Sequence, residues 1–149
     1  MAIKQLADKL RDFNEKLTNG EYIAQIIIDN EPYIVDMNAE VQLYEQGENA
    51  LGMSIADYQP YRPLTIRIKE EKGQPTNRVT LRDEGEFESS FFIEVGNESF
   101  TIKASDFKTE ELVKKYGEIM GLNAEHRAEL IWEYLYPEIM DKLKEKLAK

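Results

Sequence analysis

Seven positions, Ile23, Ile27, Asn30, Ile34, Met37, Val41 and Tyr44, step alternately by four and three residues. That spacing lays side chains along one stripe of an α-helix. A register held this long predicts a long helix with Asn30 as its one polar member. The β-branched run Ile26-Ile27-Ile28 keeps a strand over Tyr22 to Ile28 as the competing reading. Pro32 sits inside the stripe, where a proline removes an amide donor and clashes with the preceding turn, so the expectation is a kink or a fresh start at Glu31-Pro32. Upstream, Ile3, Leu6, Leu10, Phe13 and Leu17 form a shorter helical stripe, which Asn19-Gly20 should end by supplying a left-handed residue.

Gln46 to Tyr61, punctuated by Gly47, Gly52 and Pro60, reads as a connecting loop carrying Leu51, Met53 and Tyr58. Pro63 to Lys72 can form a short helix, followed by a turn at Gly73-Gln74-Pro75-Thr76 and an extended piece at Val79-Thr80-Leu81. Phe91 to Val95 and Ser99 to Lys103 flank Gly96-Asn97-Glu98, a hairpin with a three-residue connection and one polar face. Thr109 should cap a short helix ending near Gly117. Asn123 should cap a final helix from Ala124 to about Leu147, kinked at Pro137. The fold class predicted is α+β: long kinked N-terminal helices, a small antiparallel sheet with its hairpin near 91–104, and C-terminal helices. One domain over 1–149 is expected, helical in 1–46, a loop in 47–61, an α/β core in 62–104 and helical in 105–149.

Hydrophobic residues at 42% and charged residues at 32% place the chain among folded globular proteins. No apolar run approaches the ~20 residues that span a bilayer, and no signal peptide opens the chain, so a cytosolic place of synthesis is expected. The absence of cysteine and the single histidine exclude disulfides, thiolate sites and His-pair metal centres within one chain. Ser105-x-x-Lys108 matches a serine-lysine spacing but lies in an expected loop without partner motifs. His126 reads as an exposed histidine at a helix start. No glycine-rich phosphate loop is present. The chain is therefore expected to be no enzyme, with no cofactor, no metal and no membrane contact. Tyr58, Tyr61, Phe87, Phe91, Phe92 and Phe100 near several arginines could suit single strands, yet the net charge of −10 opposes phosphate, so nucleic acid is not the expected partner.

That charge is laid down in blocks. Between Lys16 and Arg62 there are eight acidic residues and no lysine or arginine. From Arg62 to Arg82 six basic residues stand against Glu70 and Glu71, and from Asp83 to Glu98 the chain is acidic again. Such runs are commonly solvated faces, but complementary faces also let copies associate head to tail. The candidate interaction surface is Tyr61, Arg62, Arg67, Lys69, Arg78 and Arg82, with Arg62, Arg67, Lys69 and Arg78 expected to be exposed.

Within the same region an ordered set of short motifs runs Tyr61-x-Pro63-x-Thr65-x-x-x-Lys69, then Val79-x-Leu81-x-Asp83-x-Gly85-x-Phe87-x-x-Ser90-Phe91, then Lys115-Tyr116-Gly117. It resembles the pattern of the head-tail joining or tail-completion family of tailed-phage morphogenesis proteins, over roughly Tyr61 to Gly117. Glu84 departs from the threonine of that pattern, and the His/Gln-x-Gly that follows the late tyrosine is missing. The resemblance implies a structural virion assembly protein whose partners are other virion proteins, namely connector, neck or tail subunits. It implies a homo-oligomer located in the host cytoplasm during assembly and then in the virion. Pro63, Thr65, Leu81, Asp83, Gly85, Phe87, Ser90, Phe91, Tyr116 and Gly117 would be its structural positions. Independently, Gly85 permits a positive φ and Asp83 can cap the turn there. The competing functional reading is an acidic mimic of DNA that inhibits a host nuclease, motivated by Glu21 to Asp57. A carboxylate-based hydrolase ranks below both.

Overall fold

The computed structural model describes residues 2–96 and 98–148, Tyr58 by its backbone only. Helix α1 spans Ile3–Thr18 and stops where Gly20 takes up the left-handed conformation at φ +83°. Helix α2 follows over Glu21–Asp29, so the stretch with three successive isoleucines is helical and the strand reading falls. Asn30 then leaves helical geometry, and α3, Glu31–Asp36, begins with Pro32 in its first turn, where no amide donor is needed. Asn30 is buried because it repairs this break. Its Nδ2 donates to the Ile26 carbonyl at 2.8 Å and to Glu138 Oε1 at 3.0 Å.

Helix α3 runs directly into a π-helical segment, Met37–Glu45. Two amides in it, Asn38 and Gln42, are fully buried and face the loop backbone of 119–123. Asn38 Oδ1 accepts from the Gly121 N–H at 2.8 Å while its Nδ2 donates to the Ile119 carbonyl at 3.2 Å. Gln42 Oε1 accepts from the Asn123 N–H at 2.8 Å while its Nε2 donates to the Gly121 carbonyl at 2.8 Å. The two amides, four residues apart, meet alternate residues of the loop: Asn38 bonds Ile119 and Gly121, and Gln42 bonds Gly121 and Asn123.

The same loop delivers Asn123 to the start of α7, Ala124–Glu129, where its Oδ1 accepts from the His126 N–H at 3.0 Å as sequence reasoning expects. His126 itself overturns an expectation: it is buried, not exposed. Gln46, next in the i, i+4 row after Gln42, places Oε1 at 3.0 Å from His126 Nε2, and Glu129 Oε2 lies at 3.2 Å from Nδ1. Helix α7 continues through a second π-helical segment, Leu130–Leu135, into α8, Tyr136–Ala148. The widened turn falls immediately ahead of Pro137, whose missing N–H and bulky ring make a regular α turn costly.

The loop after the first π segment carries a short helix α4, Ile55–Tyr58, and is stitched by Asn49, whose Oδ1 accepts from the Leu51 and Met53 amides. Leu51 and Met53 are exposed, and Ile55, which drew no notice in the sequence, is the fully buried anchor. Helix α5 spans Pro63–Glu71. Val79 and Thr80 are buried but pair with no strand, and Leu81 turns to φ +59°, so the expected extended piece ends in a strained left-handed residue.

The α+β class holds. Strands β1, Phe91–Val95, and β2, Phe100–Ala104, pair antiparallel with Phe91 opposite Ala104 and Val95 opposite Phe100. The second strand starts one residue later than expected, because Gly96 N–H donates to the Ser99 carbonyl at 2.7 Å and holds Ser99 in the turn. Asn97 in that turn lies outside the described residues. Phe92, Glu94, Thr101 and Lys103 form the outer face, and Phe91 and Ile102 enter the core. The Glu31 carboxylate accepts from the Ile93 N–H at 2.9 Å, tying the start of α3 to β1. Helix α6, Thr109–Tyr116, is entered differently from expectation. Thr109 is its first helical residue and its hydroxyl donates back to the Asp106 carbonyl, while the Asp106 carboxylate accepts from the Lys108 N–H.

The core joins these parts through Ile34, Leu43, Ile55, Val79, Phe87, Ile102, Ile119 and Leu130. The amide contacts set its geometry, and their removal should be costly. Gln42→Leu strands the buried Asn123 N–H and the part-buried Gly121 carbonyl. The expected loss is roughly 2–4 kcal/mol, read as a lower urea midpoint at unchanged slope; Glu45→Gln, on the exposed side of the same segment, should change stability by less than about 0.5 kcal/mol.

Candidate functional site

Segment 72–91 winds past α5 and the first π segment, and polar groups from all three meet at Arg82. The Arg82 guanidinium lies 3.7 Å from the centre of the Tyr44 ring, forms an ion pair with Glu40 through Nη2, and brings Nε to 3.7 Å from Glu88 Oε1. Burial disfavours its charge, but the bond to Glu40 and the charges of Glu88 and Glu40 outweigh that and hold its pKa above the ordinary value. Arg78 donates from Nε to the Tyr44 carbonyl at 2.7 Å. Lys69 is buried, donating to the Arg82 carbonyl at 2.9 Å and lying 5.0 Å above the ring of Tyr61. Tyr61 Oη in turn accepts from the Thr80 N–H at 2.9 Å.

The basic segment expected at the surface is thus largely folded inward. Lys69 is not exposed, Arg78 is half-buried, and Arg82 serves the chain's own acids. Arg62 and Arg67 differ: both are exposed and neither makes an ion pair among the described residues. Arg62 immediately precedes α5 and Arg67 lies within it, near Leu64 and Ile68, which are 66% and 44% exposed, while Lys69 is the helix's buried residue.

The motif positions hold the surroundings. Pro63 opens α5 and Thr65 is half-buried on it. Asp83 pairs with Lys72, a bond that lowers its pKa, rather than capping the turn, and Gly85 adopts φ +86° as expected. Phe87 and Phe91 meet edge to face at 5.0 Å. Ser90 Oγ donates to the Phe87 carbonyl at 2.7 Å and accepts from the Asp106 N–H at 3.1 Å. Tyr116 is buried at the end of α6, and Gly117 closes that helix at φ +74°.

One group here was not singled out by the sequence. Glu88, in a short 3-10 turn ahead of β1, has a side chain only 2% exposed, and neither carboxylate oxygen has a hydrogen-bond partner among the described residues. Arg82 Nε is equally unsatisfied. Burial pushes the Glu88 carboxyl up to about 7, against the pull of Arg82. Glu88 forms part of the wall of a 380 Å³ cleft shared with Asp36, Glu40, Glu84, Arg82 and Phe91. A larger cleft of about 870 Å³ lies elsewhere, bounded by Leu17, Ile23, Phe100, Leu130 and Leu135, and does not contain this carboxyl.

Among the described residues no acidic or histidine cluster could hold a metal ion, and no helix is long and apolar enough to cross a membrane. No protein-family profile, characterised protein or solved structure matches the chain.

A raised carboxyl pKa means that between pH 4.5 and about 7 the folded chain keeps a proton that the unfolded chain has released. Stability carried by neutral Glu88 is therefore full below that window and lost as pH rises through it, by up to about 3 kcal/mol. Glu88→Gln should remove this component, so that the difference in urea stability between variant and wild type grows from pH 5 to pH 8 in favour of the variant.

Proposed function

We propose that the chain is a non-enzymatic assembly subunit, a head-tail joining or tail-completion component of a tailed-phage virion, acting through contacts with connector, neck or tail subunits and with its own copies. The observation that carries this reading is α5, a helix that leaves Leu64 and Ile68 exposed beside Arg62, which precedes it, and Arg67, neither of them in an ion pair among the described residues. Apolar side chains flanked by arginine are characteristic of protein interfaces. Further exposed apolar groups support it: Ile3, Leu6 and Leu10 on α1, and Ile131, Trp132 and Tyr136 on the C-terminal helical run. The protein would reside in the host cytoplasm during assembly and then in the particle.

The DNA-mimic reading is weakened by the way the first acidic block is used. Glu31 binds the Ile93 amide, Glu40 binds Arg82, and Glu48 accepts from Asn123, so these acids are not a free array spaced like phosphates.

Mass spectrometry of purified particles should find the chain, and its absence from both particles and assembly intermediates would overturn the reading. The double variant Leu64→Asp/Ile68→Asp, on an exposed face, should shift stability by less than about 1 kcal/mol and yet be lost from particles by tenfold or more.

A further inference from the structure

The larger cleft, about 870 Å³ in volume, reaches down to the core. Ile27, Leu122 and Leu130, all buried core residues, form its floor, and Ile23, Phe100 and Leu135 are half-buried along its sides. An apolar hollow is unfavourable to leave in water, and this one falls within the range of volumes that small-molecule ligands fill. Its apolar lining is aliphatic, with Phe100 the one aromatic ring. The cleft therefore suits a flexible hydrocarbon chain and lacks the paired rings that would stack on a flat aromatic ligand.

Most polar groups around the cleft already have partners within the chain. The Thr18 hydroxyl donates to the Asn14 carbonyl at 2.8 Å, and Asn19 Oδ1 accepts from the Glu21 N–H at 2.9 Å. Gly121 has its N–H bonded to Asn38 and its carbonyl to Gln42. Arg127 is different. It is exposed, and it makes no ion pair among the described residues. Its Nη1 donates to the Leu122 carbonyl at 3.1 Å, which holds the guanidinium against the cleft wall and leaves the rest of its donor fork free. Glu98, the other charged residue in the lining, belongs to the exposed hairpin connection and is not paired with Arg127.

Arg127, Leu130, Ile131 and Leu135 follow one another along the helical run of α7 and the second π segment, and all four line the cleft. The cationic group thus stands at one end of an apolar wall. A guanidinium fork in that position complements a carboxylate carried at the end of a hydrocarbon chain. We propose that this cleft binds a single-chain aliphatic carboxylate, a fatty acid, with its head on Arg127 and its tail over Leu130 and Leu135 towards Ile23 and Phe100. The site makes no use of α5 or of the groups around Arg82, so it does not depend on the assembly reading.

Calorimetric titration of the full chain with decanoate, below the concentration at which it forms micelles, tests this. Wild type should bind one decanoate per chain. Decanol, which keeps the tail and loses the charge, should bind about tenfold more weakly, and decylammonium more weakly still. Arg127→Gln should bring decanoate down to the level of decanol and leave decanol itself unchanged, a split that a loosened fold would not produce. Ala24→Phe, which places a ring in the cleft from α2, should abolish binding of both, while Glu98→Gln should bind decanoate as tightly or more tightly. In wild type, the methyl NMR signals of Ile23, Leu130 and Leu135 should shift on adding decanoate, a readout that needs no variant. Absence of binding at millimolar decanoate, equal affinity for decanoate and decanol, or an unchanged decanoate affinity in Arg127→Gln would overturn the proposal. So would binding to anionic phospholipid vesicles in place of free decanoate, or self-association that Ala24→Phe abolishes, since the occupant would then be a membrane or a second copy.

Discussion

The paired amides of Asn38 and Gln42 set the relation between the two helical halves of the molecule. Each side chain closes a two-point hydrogen bond on a loop backbone that has no strand to pair with. A buried loop needs its N–H and C=O groups satisfied, and a helix can meet that need only if amides recur at its own repeat. Once the loop is seated, Ile119 and Leu122 enter the core and Asn123 arrives in position to cap α7. The direction taken by α7 and the helical run beyond it is therefore tied to two neutral side chains as well as to the apolar core that Ile119, Leu122 and Leu130 share with the first half.

Arg82 plays a comparable part on the other side of the first π segment. It draws Glu40, Tyr44 and Glu88 around one guanidinium, while its carbonyl takes the Lys69 ammonium. Basic residues that look like a surface strip in the sequence become the internal scaffolding of segment 72–91. The helix next to them is left with a short outward face made of apolar residues and the two remaining arginines.

The helix limits at Gly20, Gly73 and Gly117, the restart at Pro32, the hairpin and the Asn123 cap were legible because each depends on residues near in sequence. What escaped notice depends on contacts across the fold. Asn38, Gln42 and Gln46 carry a visible i, i+4, i+8 signal, but their partners lie about eighty residues further along. His126 looked exposed from its charged neighbours, whereas its buried ring meets the distant Gln46 as well as Glu129. Lys69 and Glu88 sit in charged stretches that give no sign of which member turns inward. Leu81 was expected to be extended, and its left-handed backbone opposes that local preference.

Helix α1 is seated unevenly. Phe13 is buried against Tyr22, and Asp12 meets Lys146 of α8, whereas Ile3 is almost wholly exposed and Leu6 and Leu10 are partly so. Amides in the first two turns can therefore open by fraying alone, while those around Phe13 open only when the helix lifts from α2 and α8. The helix thus contains a gradient of local opening free energy, low at its start and higher at its middle. Its first half can bend, unwind or be gripped without the disturbance reaching the amide-held loop.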